Sequence, residues 1–279
     1  MSIIRRAGGA EDTVRFDKSP LAIAGDDRGA LCLHGFTGTP FEVRPLAEAL
    51  GREGLTVAAP TLAGHGDSLA ALAASTWGDW LASAEAALDA LSARGGGRPV
   101  ALVGFSMGAL LSLRLARMYP ERVAALVLMG TPLRLLRWKT LLIRAVNGLP
   151  VPWTRLPDAR VPKPNGSDIS IPEMRYGNPG LQAFPVAALG QLVGLMDAVR
   201  GDLPAVRAPA LLAHGRHDHV VPAADAEELA AKLGSPVKER LWLERSFHVV
   251  GLDVDAAQLT RAVTSFVGRF LPPRPLGKE

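Results

Sequence analysis

Val100-Ala101-Leu102-Val103-Gly104-Phe105-Ser106-Met107-Gly108-Ala109-Leu110-Leu111 is the stretch on which the reading of this fold turns. The unbroken apolar run before Gly104 describes a strand buried on both faces, as in a parallel sheet. From Met107 to Met118 the pattern becomes helical. Ser106 falls on the sharp turn between them, where glycines at 104 and 108 matter because a Cβ at either place would clash with neighbouring backbone. The helix N-terminus offers N–H groups and a favourable dipole to developing negative charge. With 29 glycines and 13 serines in 279 positions, chance alone gives roughly 0.14 such Gly-x-Ser-x-Gly patterns. The weight therefore rests on its strand-to-helix placement.

Outward from this junction the same rhythm recurs. Strands are expected at Ala30–His34, Leu55–Ala59, Val100–Gly104, Val123–Met129, Pro209–His214 and Val237–Leu243. Helices are expected at Val43–Glu53, Trp77–Arg94, Met107–Met118, Ala223–Leu233 and Asp253–Phe270. Alternating strands and helices predict an α/β domain with helices on both sides of the sheet. One region breaks the pattern: residues 133–200 show no convincing strand and hold eight prolines between Pro150 and Pro185. A long structureless connection is uncommon in a compact domain, so this region reads as an insertion over the sheet. Its first part, Leu133–Leu149, is apolar nearly all round and carries Arg134, Arg137, Lys139 and Arg144 without an acid. Such a segment covers a core or lines a pocket, with weak contact to a lipid surface as the alternative.

Composition narrows the classes further. An apolar fraction of 48% and a net charge of +4 exclude a disordered chain. Cys32 is the only cysteine, which excludes a disulfide scaffold. No charge-free stretch of membrane-spanning length occurs, and no apolar run follows Arg5 and Arg6, so a cytoplasmic address is expected. Of the 31 basic residues only 6 are lysines. The arginines are scattered instead of lying on one face, which argues against a nucleic-acid partner.

A serine hydroxyl needs an adjacent base to act as a nucleophile. Sites in a wound sheet form beyond the carboxyl ends of its strands, which draws attention to His248 after Leu243 and to Asp218 after His214. Asp218 would fix the tautomer of His248 and stabilise its charged form. A histidine in such a loop is more often an ordinary hydrogen-bonded residue, and Asp218 could simply end a turn. A metal site from His217, Asp218 and His219 is disfavoured, since neighbours on an extended chain point opposite ways and no second ligand cluster exists. Acyl transfer also needs two N–H donors for an oxyanion: Met107 and, in the loop His34-Gly35-Phe36-Thr37-Gly38, Phe36. His34 reads as a loop organiser, Cys32 as buried packing, and Gly64-His65-Gly66-Asp67-Ser68 as a turn at a pocket rim, where His65 is a candidate substrate contact.

Taken together these residues resemble the α/β-hydrolase superfamily from about Ala30 to Leu271, and within it the small bacterial carboxylesterase and monoacylglycerol lipase group. The closer match lies in Leu-His-Gly-Phe-Thr-Gly-Thr-Pro at 33–40, Ala-Gly-His-Gly-Asp-Ser at 63–68, Gly-Phe-Ser-Met-Gly at 104–108, His-Asp at 217–218 and His-Val-Val-Gly-Leu-Asp at 248–253. The resemblance implies a mostly parallel eight-stranded sheet with helices on both faces. It divides the chain into a core of residues 1–132 and 201–279 and an inserted cap of residues 133–200. It also implies Ser106 as nucleophile, His248 as base, Asp218 as acid, and the Phe36 and Met107 amides as the oxyanion hole. Cofactor and metal are not needed, and the partner is a small ester with a short- to medium-chain acyl group or a monoacylglycerol. Gly35, His65 and Phe247 are candidate substrate contacts. Phe247 stands where that group typically has glycine before the catalytic histidine. Carbon–carbon bond hydrolysis, amide or peptide cleavage, and a non-catalytic binding protein are the rival readings.

Overall fold

The computed structural model describes residues 3–4, 14–134 and 159–274. Its centre is a seven-stranded sheet in the order β11-β10-β7-β6-β4-β5-β3. The strands are β3 (Leu21–Ile23), β4 (Gly29–Leu33), β5 (Thr56–Ala59), β6 (Val100–Phe105), β7 (Val123–Met129), β10 (Ala210–Gly215) and β11 (Lys238–Leu243). All neighbours are parallel except β3, which runs antiparallel to β5. The resemblance implies eight strands; seven are present among the described residues. Ahead of β3, β1 (Ile3–Ile4) and β2 (Val14–Arg15) pair only with each other.

The strand alternation sorts the core into two layers. Leu31, Leu33, Leu102, Leu126 and Leu128 point to one face and pack with α3 (Trp77–Arg94) and α4 (Met107–Met118). Ala30, Cys32, Val103, Val127 and Met129 point to the other, under α1 (Arg44–Arg52) and α8 (Ala256–Phe270). Period-two alternation with both faces apolar is the reason these strands read as continuous hydrophobic runs. Two helix starts are fixed locally. Thr76 and Asp79 form a reciprocal capping box at α3, and the Ser68 hydroxyl accepts from the Ala71 N–H at the start of α2 (Leu69–Ala74). Helix α7 (Ala223–Lys232) completes the outer layer.

The inserted region contains more order than its sequence suggests. β8 (Arg160–Pro162) and β9 (Ala183–Pro185) form an antiparallel pair, with α5 (Pro172–Gly177) between them. The expectation of no strand there is thus corrected. Each strand has only three residues and ends in proline, so neither shows the run of β-formers on which a sequence reading depends. The insertion then continues as α6 (Val186–Asp202), whose Leu192, Leu195, Met196 and Val199 are buried in the same layer as α4. The start of the insertion is anchored by the buried Asp225, which accepts the N–H groups of Leu133 at 2.7 Å and Arg134 at 3.1 Å. The rest of the expected Leu133–Leu149 segment, from residue 135, lies outside the described residues. No helix among the described residues is long and apolar enough to cross a membrane.

Because Leu195 is fully buried in that shared layer, Leu195→Ala is expected to lower global stability by about 2–5 kcal/mol. Urea unfolding checks this. An unchanged midpoint would mean that α6 is a detachable lid.

Candidate active site

Ser106 is held at φ 52, ψ −114 between β6 and α4. A left-handed residue other than glycine costs about 1–2 kcal/mol, and here the surroundings impose it. A Cβ on Gly104 would stand 2.3 Å from the Gly108 carbonyl oxygen, and one on Gly108 would stand 2.1 Å from that of Leu33. The Ser106 N–H donates to the Met129 carbonyl at 2.8 Å, tying the elbow to β7.

His248 and Asp218 converge on this serine from the loops after β11 and β10. Ser106 Oγ lies 3.1 Å from His248 Nε2, and His248 Nδ1 lies 2.7 Å from Asp218 Oδ2. Since a carboxylate only accepts, Nδ1 carries the proton and the Nε2 lone pair faces the serine hydroxyl. Asp218 Oδ1 accepts from the N–H groups of Val220 at 2.8 Å and Val221 at 2.7 Å, so its orientation is fixed by its own turn. Burial disfavours the charged imidazole of His248, yet Asp218, Asp168 and Glu42 outweigh it and hold the group above the usual histidine value. Burial likewise opposes the Asp218 carboxylate, but His248, the turn amides and His214 keep it below the usual range. His214 Nε2 lies 3.5 Å from the same oxygen, Asp218 Oδ2. The His248 ring rests 4.9 Å from that of Phe105. Against its other edge is Gly130, at φ +54, where a Cβ would sit 3.1 Å from His248 Cε1.

The loop after β4 is organised from below by a buried acid. Glu42 Oε2 accepts the Gly35 N–H at 2.9 Å, and a Cβ on Gly38 would collide with the same carboxylate. Desolvation raises the Glu42 pKa. His34, fully buried, accepts the Leu62 N–H at Nε2 (3.2 Å) and donates from Nδ1 to the Gly35 carbonyl (2.9 Å), the organising part expected of it. Burial pushes it down to about 3. His65 donates from Nδ1 to the Ala63 carbonyl at 2.9 Å and packs edge-on against Phe36 and Trp80. Its Nε2 is buried without a hydrogen-bond partner, and burial lowers its pKa to about 4.

Residues of the segment 163–184 pack against this loop. Phe184 stacks on Phe36 with ring centres 6.0 Å apart, and the Leu181 N–H donates to the Thr37 carbonyl at 2.8 Å. Lys163 donates to the Thr37 hydroxyl and stands 4.5 Å over the Phe184 ring. Desolvation lowers its pKa to about 8, against the pull of Glu42. The loop N–H groups of Gly35 and Gly38 are engaged by Glu42 and the Gly35 carbonyl.

Ser106, Asp218 and His248 are thus brought together, with the Phe36 loop and the start of α4 beside them. Phe247 lies at the rim: its N–H donates to Asp253 at 2.8 Å, and its ring meets His219 edge-on at 4.6 Å and the Arg175 guanidinium at 5.7 Å. His217 and His219 do not share a centre with Asp218, because His219 turns to Asp168, with Nδ1 2.8 Å from its carboxylate. Glu42, Gly130, Lys163, Asp168 and Phe184 escape a sequence reading. Glu42 left one signal, an acid in the apolar run after Pro40. The others sit in segments without periodicity.

The family described as Serine aminopeptidase, S33 (Hydrolase_4) matches residues 27–255. The chain belongs to this family, and with it to the α/β-hydrolases of lipase and esterase type. The thermostable monoacylglycerol lipase of Bacillus sp. (strain H-257) is 32% identical over 241 residues, 86% of this chain and 90% of that enzyme. A carboxylesterase of Bacillus subtilis (strain 168) is 25% identical over 90% of this chain and 96% of its own. A solved structure from work on LipS and LipT, two metagenome-derived lipolytic enzymes, superposes with a TM-score of 0.82. It is 35% identical and covers 90% of this chain and 98% of the other.

Two outcomes follow from this geometry. Gly130→Ala is expected to cost about 1–2 kcal/mol in thermal unfolding, from its positive φ, and to lower turnover by displacing His248. Buried His34, His65 and His214 all have lowered pKa values, against one raised histidine, His248. Buried Glu42, also raised, opposes them with His248, but the three lowered histidines outnumber these two, so the unfolded chain binds more protons below the usual histidine value near 6.5. Unfolding free energy should fall as pH drops from 7 toward 5, and a flat pH–urea series would refute it.

Proposed function

We propose that the protein hydrolyses carboxylic esters through an acyl-enzyme on Ser106. The observation that carries this is the relay Ser106 Oγ–His248 Nε2–Asp218, at 3.1 and 2.7 Å, mounted on a strained elbow. His248 takes the hydroxyl proton as Ser106 attacks the ester carbonyl. The tetrahedral oxyanion is held by the N–H groups of Phe36 and Met107, the latter aided by the dipole of α4. The alcohol leaves with the proton from His248, and water repeats the steps on the acyl group. Asp218 keeps the imidazole in the tautomer this needs and stabilises its charged form. No step calls for a cofactor.

Residues 133–200 serve as a cap on a core formed by 1–132 and 201–279. The aromatic cluster of Phe36, Phe184, Trp80 and His65 beside the oxyanion loop supports an apolar acyl group of short to medium length. Two relatives are a monoacylglycerol lipase and a carboxylesterase, which makes a monoacylglycerol the leading natural substrate class. Gly35, His65 and Phe247 remain candidate substrate contacts. The family's description as a serine aminopeptidase favours amide cleavage as the second reading.

A fluorophosphonate probe should label wild-type protein stoichiometrically at Ser106 and fail on Ser106→Ala and His248→Ala. Ser106→Ala should lose several orders of magnitude in kcat while keeping its fold. Across acetyl to decanoyl p-nitrophenyl esters, kcat/KM should rise and then fall with chain length, each buried CH₂ contributing roughly 0.8 kcal/mol. Faster turnover of an aminoacyl anilide than of any ester would favour the peptidase reading. Since the base must be neutral and its pKa is raised, the acid limb of kcat/KM should lie above pH 6.5.

A further inference from the structure

The cap segment 167–170 is plugged into the core. Ile169 is fully buried in the layer beneath α1 and α8. The Ser170 N–H donates to both carboxylate oxygens of Asp253 at 3.1 Å, and the Ser170 hydroxyl donates to Asp253 as well. The Arg175 guanidinium holds the Ile169 carbonyl at 2.7 Å. Asp168 is fixed between these anchors.

Its carboxylate faces the two loops that carry Asp218 and His248. Asp168 Oδ2 accepts the N–H of His219 at 3.0 Å and the N–H of His248 itself at 3.1 Å. Oδ1 lies 2.8 Å from His219 Nδ1, and the Asp168 carbonyl accepts the Val249 N–H at 3.1 Å. One residue therefore binds the neighbour of Asp218 on one side, and His248 with its neighbour on the other. No other described side chain hydrogen-bonds the backbone of both loops.

We propose that Asp168 is a positioning residue for the reaction: a cap-borne carboxylate that sets the spacing of the Asp218 and His248 loops and, through its negative charge, favours the imidazolium formed when Ser106 gives up its proton. The inference rests on the reading of Ser106 as nucleophile and His248 as base. The charged and titratable groups that bear on His248 are Asp218 at Nδ1, Asp168 at its backbone, Glu42 behind the oxyanion loop and His214 beyond Asp218. Those beside Asp168 are His219 and, through the Ile169 carbonyl, Arg175. Asp168 is thus the one of these acids that the cap supplies. The cap then completes the geometry of the pair as well as covering it.

D168N and D168E test this in the full chain, with p-nitrophenyl butyrate turnover followed against pH, fluorophosphonate labelling at Ser106 and thermal unfolding. D168N should fold and should lose about 10- to 100-fold in kcat/KM, mainly in kcat, as expected when a reacting group is misplaced by a fraction of an ångström. Its acid limb should move to lower pH, because a charge that favours protonated His248 is gone. D168E keeps the charge, so its acid limb should return toward the wild-type position even where its rate does not. An unmoved limb in D168N, a loss confined to KM, or failure of D168N to fold would overturn the proposal in favour of a purely structural or substrate-binding part. A wild-type protein that does not label at Ser106 would instead overturn the nucleophile reading on which this one rests.

Discussion

The close approach of α4 to the carboxyl end of β4 and β6 is the constraint on which the rest of the molecule depends. Gly108 lies so near the Leu33 carbonyl that a methyl group could not be placed there, and Gly104 is packed as tightly against Gly108. That contact forces the chain at Ser106 into a left-handed conformation and leaves the hydroxyl at the lip of the sheet, almost buried yet reachable. The strain is tolerable because β6 is the middle strand of the sheet, hydrogen-bonded on both sides and covered by two apolar layers. A local cost of a kilocalorie or two is small against such a core. Ser106 is thereby placed by packing and not by side-chain choice.

Around this fixed point the site is built from groups that burial pulls away from their solution behaviour. Desolvation pushes Glu42 up and pushes Lys163, His34 and His65 down. All of these are driven toward their neutral forms, the cheaper state in a low-dielectric interior. His248 is the exception, because three carboxylates act on it from different elements. A base whose proton affinity is raised by its charged partner Asp218 is suited to taking a proton from serine. The same acids explain its position, since Asp218 fixes the ring and Asp168 fixes the backbone that bears it.

The insertion holds two edges of the site at once. Lys163, Leu181 and Phe184 grip the loop of Phe36 and Thr37, while Asp168 and Ser170 grip the loop of His248 and Asp253. Helix α6 meanwhile belongs to the core layer of α4 by its packing.

Much of this was legible in the amino-acid order. Helices Trp77–Arg94 and Met107–Met118 and strand Val123–Met129 stand with the expected ends, and the other expected core elements shift by one to three residues. Apolar periodicity is local, and each of these elements had enough of it. The Gly-x-Ser-x-Gly turn declared its serine through the same local sterics, and the Asp218 and His248 loops were marked by their places after strands. The short β8–β9 pair, the buried Glu42 and the Asp168 brace were not legible. Asp168 meets His248 across 80 residues of chain, Glu42 turns inward only where the loop after β4 folds back on it, and a hydrogen bond between loops leaves no period in either of them. Sequence determined the sheet, its helices and the turn that carries Ser106, because those follow from local patterning. Only the tertiary structure decided how residues 163–184 meet the loops of Phe36 and His248, because that depends on which distant surfaces meet when the core closes.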